Sequence, residues 1–246
     1  MVTAIRTDTL LRDALDAHGG LARWKRLRQV HALIVSGGLL YEAKGQAPDH
    51  TPRQVTVALP EVRTTLQPFG SPDQRMVFTP ERTTVEKTDG TVLASAGDLR
   101  NTFAGHQLST PWNPLQRAYF SGYALWTYLN SPFLLAQPDV QLHPIEPVED
   151  DGRRLRGIGA TFPRRIPTHS RRQQFYFDSD SLLRRHDYRV DIAGGFPASQ
   201  YLDDFVRADG IQVPTRRRAY RCDARGAANR DELMVSMQFS DIVFDA

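Results

Sequence analysis

The sequence predicts an α+β fold: a curved, mostly antiparallel β-sheet, an incomplete barrel, wrapped around helices inserted mid-chain. Three observations predict it. Helical periodicity is confined to an opening segment, 8–27, and a middle segment, 98–137. The stretches 29–96 and 153–244 instead run in short apolar and β-branched alternations bounded by Gly, Pro and Asp, as half-buried strands do. No linker-like shift in composition and no solenoid repeat divides the 246 residues, so one domain over 1–246 is expected, with helix, strands, helices and strands in that order.

The opening helix over 8–27 can be capped by Thr7 or Asp8, and Leu10, Leu11, Ala14 and Leu15 recur at helical spacing. The "HGG" of 18–20 is a stop signal, after which "LARWKRL" supplies a second short turn. From Gln29 the period changes: "VHALIVSGGLLYEAKG" reads as a strand bent or bulged at Gly37-Gly38. Alternating runs follow with Val55, Val57, Leu59 and then Val62, Thr64, Leu66; the Asp89-Gly90 pair between two further runs is the clearest hairpin signal. In the middle segment, Asn113 is a capping residue and Pro114 stands at the first helical position. Asn130-Ser131-Pro132 interrupts that helix, and Ser131 is expected to cap a second short one. Strands are expected over 153–162, 171–178, 181–192, 200–207, 211–220 and 233–244, with turns at Asp151-Gly152, Asp178–Ser181, Gly194-Gly195 and Asp209-Gly210.

Composition narrows the function. Lys+Arg 31 nearly balance Asp+Glu 28, for a net charge of +3, which argues against nucleic-acid binding through clustered basic charge. The arginine pairs and the Arg216-Arg217-Arg218 run fall in strand-like segments, where alternation throws neighbours to opposite faces. The single Cys222 excludes an internal disulfide and any multi-thiolate metal site. No H-x-x-x-H, HExxH, Walker A, G-x-S-x-G or G-x-G-x-x-G occurs, so no metal and no cofactor is expected. The opening residues lack an apolar signal-peptide core, which points to a cytoplasmic protein.

Six aromatic residues crowd into 119–133: Tyr119, Phe120, Tyr123, Trp126, Tyr128 and Phe133. Ser121, Gly122, Thr127, Asn130, Ser131 and Pro132 interrupt the run, so it is not a transmembrane segment. On a helix, Leu115, Ala118, Gly122, Leu125 and Leu129 form one stripe and Tyr119, Tyr123, Trp126 and Asn130 the next, together covering roughly 160° of its surface. Arg117, Ser121, Ala124 and Tyr128 take the opposite side. Either the helix is plain core, or its aliphatic stripe packs while its aromatic stripe lines a cavity.

Two phrases resemble a known family. "ALDAHGGLARWKRLRQVHALIVSGGLL" is similar to the helix-into-first-strand opening of LolA-like, lipoprotein-carrier-type proteins, and "FYFDSDSLLRRHDYRVDIAGGFPASQYLDDFVRADGIQVPTRRRAY" is similar to their later strands. The resemblance implies a half-barrel closed by helices over an apolar cavity, which carriers of this type use for acyl chains; a violacein-pathway enzyme of the same architecture is catalytic.

The leading expectation is binding of a small apolar or amphipathic molecule, lipid-like or aromatic, between helix and sheet. Tyr119, Tyr123, Trp126, His106, Trp112, Phe133 and Arg171 are the candidate ligand contacts. The alternative is a cofactor-free cyclase, isomerase or other biosynthetic enzyme, with His186, Tyr188, Tyr201 and His169 as an acid–base set. His186, Tyr188 and Val190 share one strand face; Tyr201, Asp203 and Phe205 share another; His169, Arg171, Gln173 and Phe175 align if their strand begins early. The third reading is a filled core with a role in protein contacts.

Overall fold

The computed structural model describes residues 7–47, 50–223 and 225–246. The opening segment is two helices, α1 (Thr7–Ala17) and α2 (Leu21–Trp24), separated at the predicted stop. The strand β1 (Gln29–Gly37) then runs with alternate residues buried. The predicted bend at Gly37-Gly38 is a full stop: "LLYEA" forms a short helix, α3 (Leu39–Ala43). Gly38 takes φ 111°, and a Cβ there would lie 2.4 Å from the carbonyl oxygen of Met234, so the chain turns where a larger residue would collide with its neighbour.

A meander follows through β2 (Arg53–Ala58), β3 (Arg63–Gln67), β4 (Gln74–Phe78), β5 (Thr83–Lys87) and β6 (Val92–Ala96). The Asp89-Gly90 hairpin joins β5 and β6; Gly90 sits at φ 93° and the Asp89 carboxylate accepts from the Thr91 amide. The long helix α4 (Pro114–Asn130) starts as its sequence predicts. Asn113 accepts from the Gln116 amide, and Gln116 reaches back to the Asn113 amide, a reciprocal capping box with Pro114 just inside it. The expected Ser131 cap is not made. Ser131 Oγ donates back to the Thr127 carbonyl at 2.7 Å, satisfying the end of α4 instead, and a 3-10 turn runs over Phe133–Ala136.

The second strand set holds one more member than expected. In front of β8 (Arg153–Thr161) lies β7 (Gln141–Asp150), whose Pro144 and Pro147 mask its strand character. It is an edge strand, where a missing N–H costs no ladder bond, and its pairing with β8 slips between Ile145 and Val148. Then come β9 (Arg172–Phe177), β10 (Leu183–Val190), β11 (Phe196–Ala208), β12 (Ile211–Cys222) and β13 (Ala228–Asp245).

Among the described residues, all thirteen strands form one open antiparallel sheet in the order β6-β5-β4-β3-β2-β1-β13-β12-β11-β10-β9-β8-β7. It curves around α4, which is buried on every side from Gln116 to Asn130. The two sides differ. The α4 backbone lies close against β2 to β6, and at Gly122 a Cβ would come within 2.3 Å of Phe78. Toward β9 to β12 it stands farther off, and side chains fill the gap.

Candidate functional site

The seam between α4 and the strands β9 to β12 is polar and deeply buried. The helix supplies Tyr123 and Tyr128; the loop entering β9 supplies His169; Gln173, His186, Tyr188, Gln200 and Arg217 point inward from β9, β10, β11 and β12. Strand alternation puts them there, since Ile211, Val213, Thr215, Arg217 and Ala219 are alternate buried positions of β12, with Pro214 and Cys222 buried besides.

Their hydrogen bonds form a chain across the seam. Tyr123 Oη lies 3.3 Å from His169 Nδ1, and Tyr128 Oη lies 2.8 Å from His169 Nε2 and 3.1 Å from Tyr188 Oη. The His169 ring stacks flat on Tyr188, with centroids 4.1 Å apart. His186 stacks on Phe175 and bonds Gln173 Oε1 at 2.6 Å, while the Gln173 amide nitrogen donates to the Ser170 carbonyl. That second bond fixes the Gln173 oxygen as the acceptor, so His186 Nε2 carries the proton and Nδ1 is a bare lone pair. Arg217 donates from Nη1 to Gln200 Oε1 at 3.0 Å and from Nη2 to the Tyr128 carbonyl at 2.5 Å.

Burial governs the charges. It pulls His169 down to about 3 and His186 well below the ordinary histidine range, because a charged imidazole loses its hydration there. It raises Tyr128 to about 12 and Tyr123 and Tyr188 well upward. It also lowers Arg217 to about 10, the phenols of Tyr128 and Tyr188 opposing that shift. At neutral pH Arg217 is the charged member of this set, and the Arg100 guanidinium, bonded to the Thr168 carbonyl, acts on Tyr123 and His169 from beside it.

Of the candidates from the sequence, His169, His186, Tyr188 and Tyr123 are brought together here. Trp126 lies on the β2 side of the helix, where its Nε1 donates to the carbonyls of Ala58 and Glu61 at 3.1 and 2.9 Å. It also reaches a half-open cleft of about 360 Å³ lined further by Pro60, Thr79, Gln137, Arg165 and Ile166. Tyr119 packs edge-on to Phe78 and beside Phe103. Trp112 lies under the Lys44 ammonium, and His106, half-buried, sits against Phe103. Phe133 stacks on Trp24 at 4.2 Å, outside the seam.

Two placements are corrected. Tyr201 is on the outer face: cross-strand pairing sets it opposite Arg185 and sets Gln200 opposite His186, so Gln200 is the inward residue, and Tyr201 lies beneath the Arg230 guanidinium at 3.7 Å. Its expected companion Phe205 instead packs partly buried against the core and under the Arg184 guanidinium, the chain being kinked at Asp204, which takes φ 53° and drops out of the pairing with β12 although the register on either side is unchanged. Arg171 is exposed and donates to the Phe162 carbonyl, because β9 begins only at Arg172 and the alternation does not extend back to it. Tyr128, Gln200 and Arg217 were not among the expected site residues, while Gln173 was expected on one strand face with His169 and Phe175, and the structure puts it in the seam. For Arg217 the signal was present: an arginine at a buried step of "IQVPTRRRAY".

No family model and no curated protein matches this sequence. Solved structures do match in fold. A DUF1329 family protein from Desulfovibrio piger is 12% identical, with a TM-score of 0.54 over 97% of this chain and 93% of that one. A LolA superfamily protein from Nitrosomonas europaea is 13% identical, with a TM-score of 0.51 over 97% of this chain and 93% of that one. The fold is LolA-like.

Proposed function

We propose that this LolA-like chain binds a small apolar or amphipathic molecule, lipid-like or aromatic, between α4 and the inner face of the sheet. The observation that carries the reading is the asymmetry around α4: close packing against β2 to β6, and toward β9 to β12 a wider gap bridged by phenols, imidazoles, amides and a guanidinium. Amphipathic rings offer a ligand apolar area and a hydrogen-bonding tip at once. Tyr123, Tyr128 and Tyr188 are the wall in this reading.

A cofactor-free acid–base enzyme in the same seam is the weaker reading. An efficient proton carrier titrates near the working pH, whereas burial keeps His169 and His186 neutral far below it. In the binding reading they are fixed hydrogen-bonding partners.

Native mass spectrometry of the purified chain, with organic extraction of anything carried along, tests this. A near-stoichiometric apolar or amphipathic compound is expected, or saturable uptake of added fatty acids or long-chain alcohols. An apo mass with no saturable uptake overturns it and leaves the seam as plain core.

A further inference from the structure

Arg217 is 1% exposed, yet the groups acting on its charge are two phenols, not a carboxylate. Two partly buried arginines elsewhere hold acids, Arg184 holding Asp178 and Arg185 both Asp150 and Asp187, whereas Arg53 donates to Ser36 and Arg156 to the Asp178 carbonyl and Ser181. Part of the guanidinium has a structural explanation. Nη2 caps the last turn of α4 at the Tyr128 carbonyl, a favourable place for a cation at the negative end of the helix. Nη1 is used on Gln200.

Among the described residues, three buried polar atoms around it lack a hydrogen bond of good geometry: Arg217 Nε, His186 Nδ1 and Gln200 Nε2, the last of which lies near the Tyr128 hydroxyl. They belong to neighbouring inward positions, because His186 opposes Gln200 across β10 and β11, and Gln200 is bonded to Arg217 from β12. The set comprises N–H donors on Arg217 and Gln200 and one lone pair on His186. Clustered unmet groups of this kind are rare in folded interiors, and each costs stability unless something answers it. Donors around an uncompensated cation answer to an anion; the lone pair answers to a hydroxyl beside it.

Resting on the binding reading above, we infer that the seam takes an amphipath with an anionic head, a carboxylate or a phosphate. The head lies against Arg217 and Gln200, and the tail between α4 and the sheet. Arg217 is then the residue that selects the head group, and the aromatic rings accept the tail with little preference. The last turn of α4 covers the cluster, so the head reaches Arg217 by replacing the Tyr128 carbonyl or by entering beside it.

Titration calorimetry on the whole chain with dodecanoate, dodecyl phosphate, dodecanol and dodecyltrimethylammonium, below their micellar concentrations, tests this with one tail length throughout. One or both anions should bind at least about tenfold more tightly than dodecanol, the scale of a charge-assisted hydrogen bond, and the ammonium should bind least. Arg217→Gln should erase the anion preference, so that dodecanoate and dodecyl phosphate bind the variant no more tightly than dodecanol binds that same variant; Arg217→Lys should keep part of it. Should Arg217→Gln fail to fold, the ranking of the four probes on the unaltered chain still decides. Equal binding of dodecanol and the anions overturns the inference and assigns the unmet atoms to bound water, with the binding reading intact. An anion preference that survives in folded Arg217→Gln also overturns it, placing selection elsewhere. Failure of all four probes removes both readings.

Discussion

At residue 126 one indole ties three segments together, since it projects from α4 to the end of β2 and the turn that follows. Trp126→Ala should cost about 3–5 kcal/mol, as large core truncations do. Trp126→Phe keeps most of the ring but strands two carbonyls, and should cost about 1–3 kcal/mol; urea titration of the two variants separates packing from hydrogen bonding. The buried histidines set the response to acid. His18 is held down to about 4 and His169 to about 3, both by burial, against an ordinary value of 6.5. Between those limits the unfolded chain binds more protons than the folded one, so stability rises with pH there, is complete above about 6.5 and is lost on acidification. His169→Gln should flatten that slope, as denaturation midpoints measured from pH 7 to pH 4 would record. Residues such as His186 and Tyr188 were legible because alternation along one strand puts them on one face. Which face looks inward is set between strands, by pairing, and Tyr201 was misplaced for that reason.

Among the elements, α4 was the most legible, because its start is chemically local: Asn113, Pro114 and Gln116 are a complete capping signal within four residues. Asn113→Ala should therefore cost about 0.5–2 kcal/mol, read from the thermal or urea midpoint. Gly122, unusual inside a helix, is explained only by what lies across from it. Gly122→Ala would gain helix propensity but drive a methyl into Phe78 near its own Cβ, where a flexible side-chain tip cannot simply swing away. A net loss of about 1–3 kcal/mol is expected, and a Phe78→Ala background should relieve much of the clash in a double-mutant cycle. The β7 strand was not legible, since two prolines within ten residues argue against a strand unless its edge position is known. The end of "LIVSGGLLYEA" was misread for a similar reason: short apolar runs do not distinguish strand from helix, and what ends β1 is contact with the distant Met234 backbone.

For the whole molecule, the open sheet and its wrapping around a central helix follow from the order of periodicities along the chain. The strand order does not, because β1 pairs with both β2 and β13, joining 29–37 to 228–245 across most of the sequence. A chain ending before β13 should lose its cooperative unfolding transition, since β13 is the strand between β1 and β12; circular dichroism against urea would show it. That pairing also divides the molecule mechanically. The meander from β1 to β6 and the meander from β7 to β12 are each continuous lengths of chain joined through β13, and α4 is fastened to the first of them. A load that widens the seam would be taken up as bending distributed along the long sheet, with the helix travelling as part of one leaf. Because β13 is paired along both edges, widening the seam would change the curvature of the sheet without breaking any one strand pair.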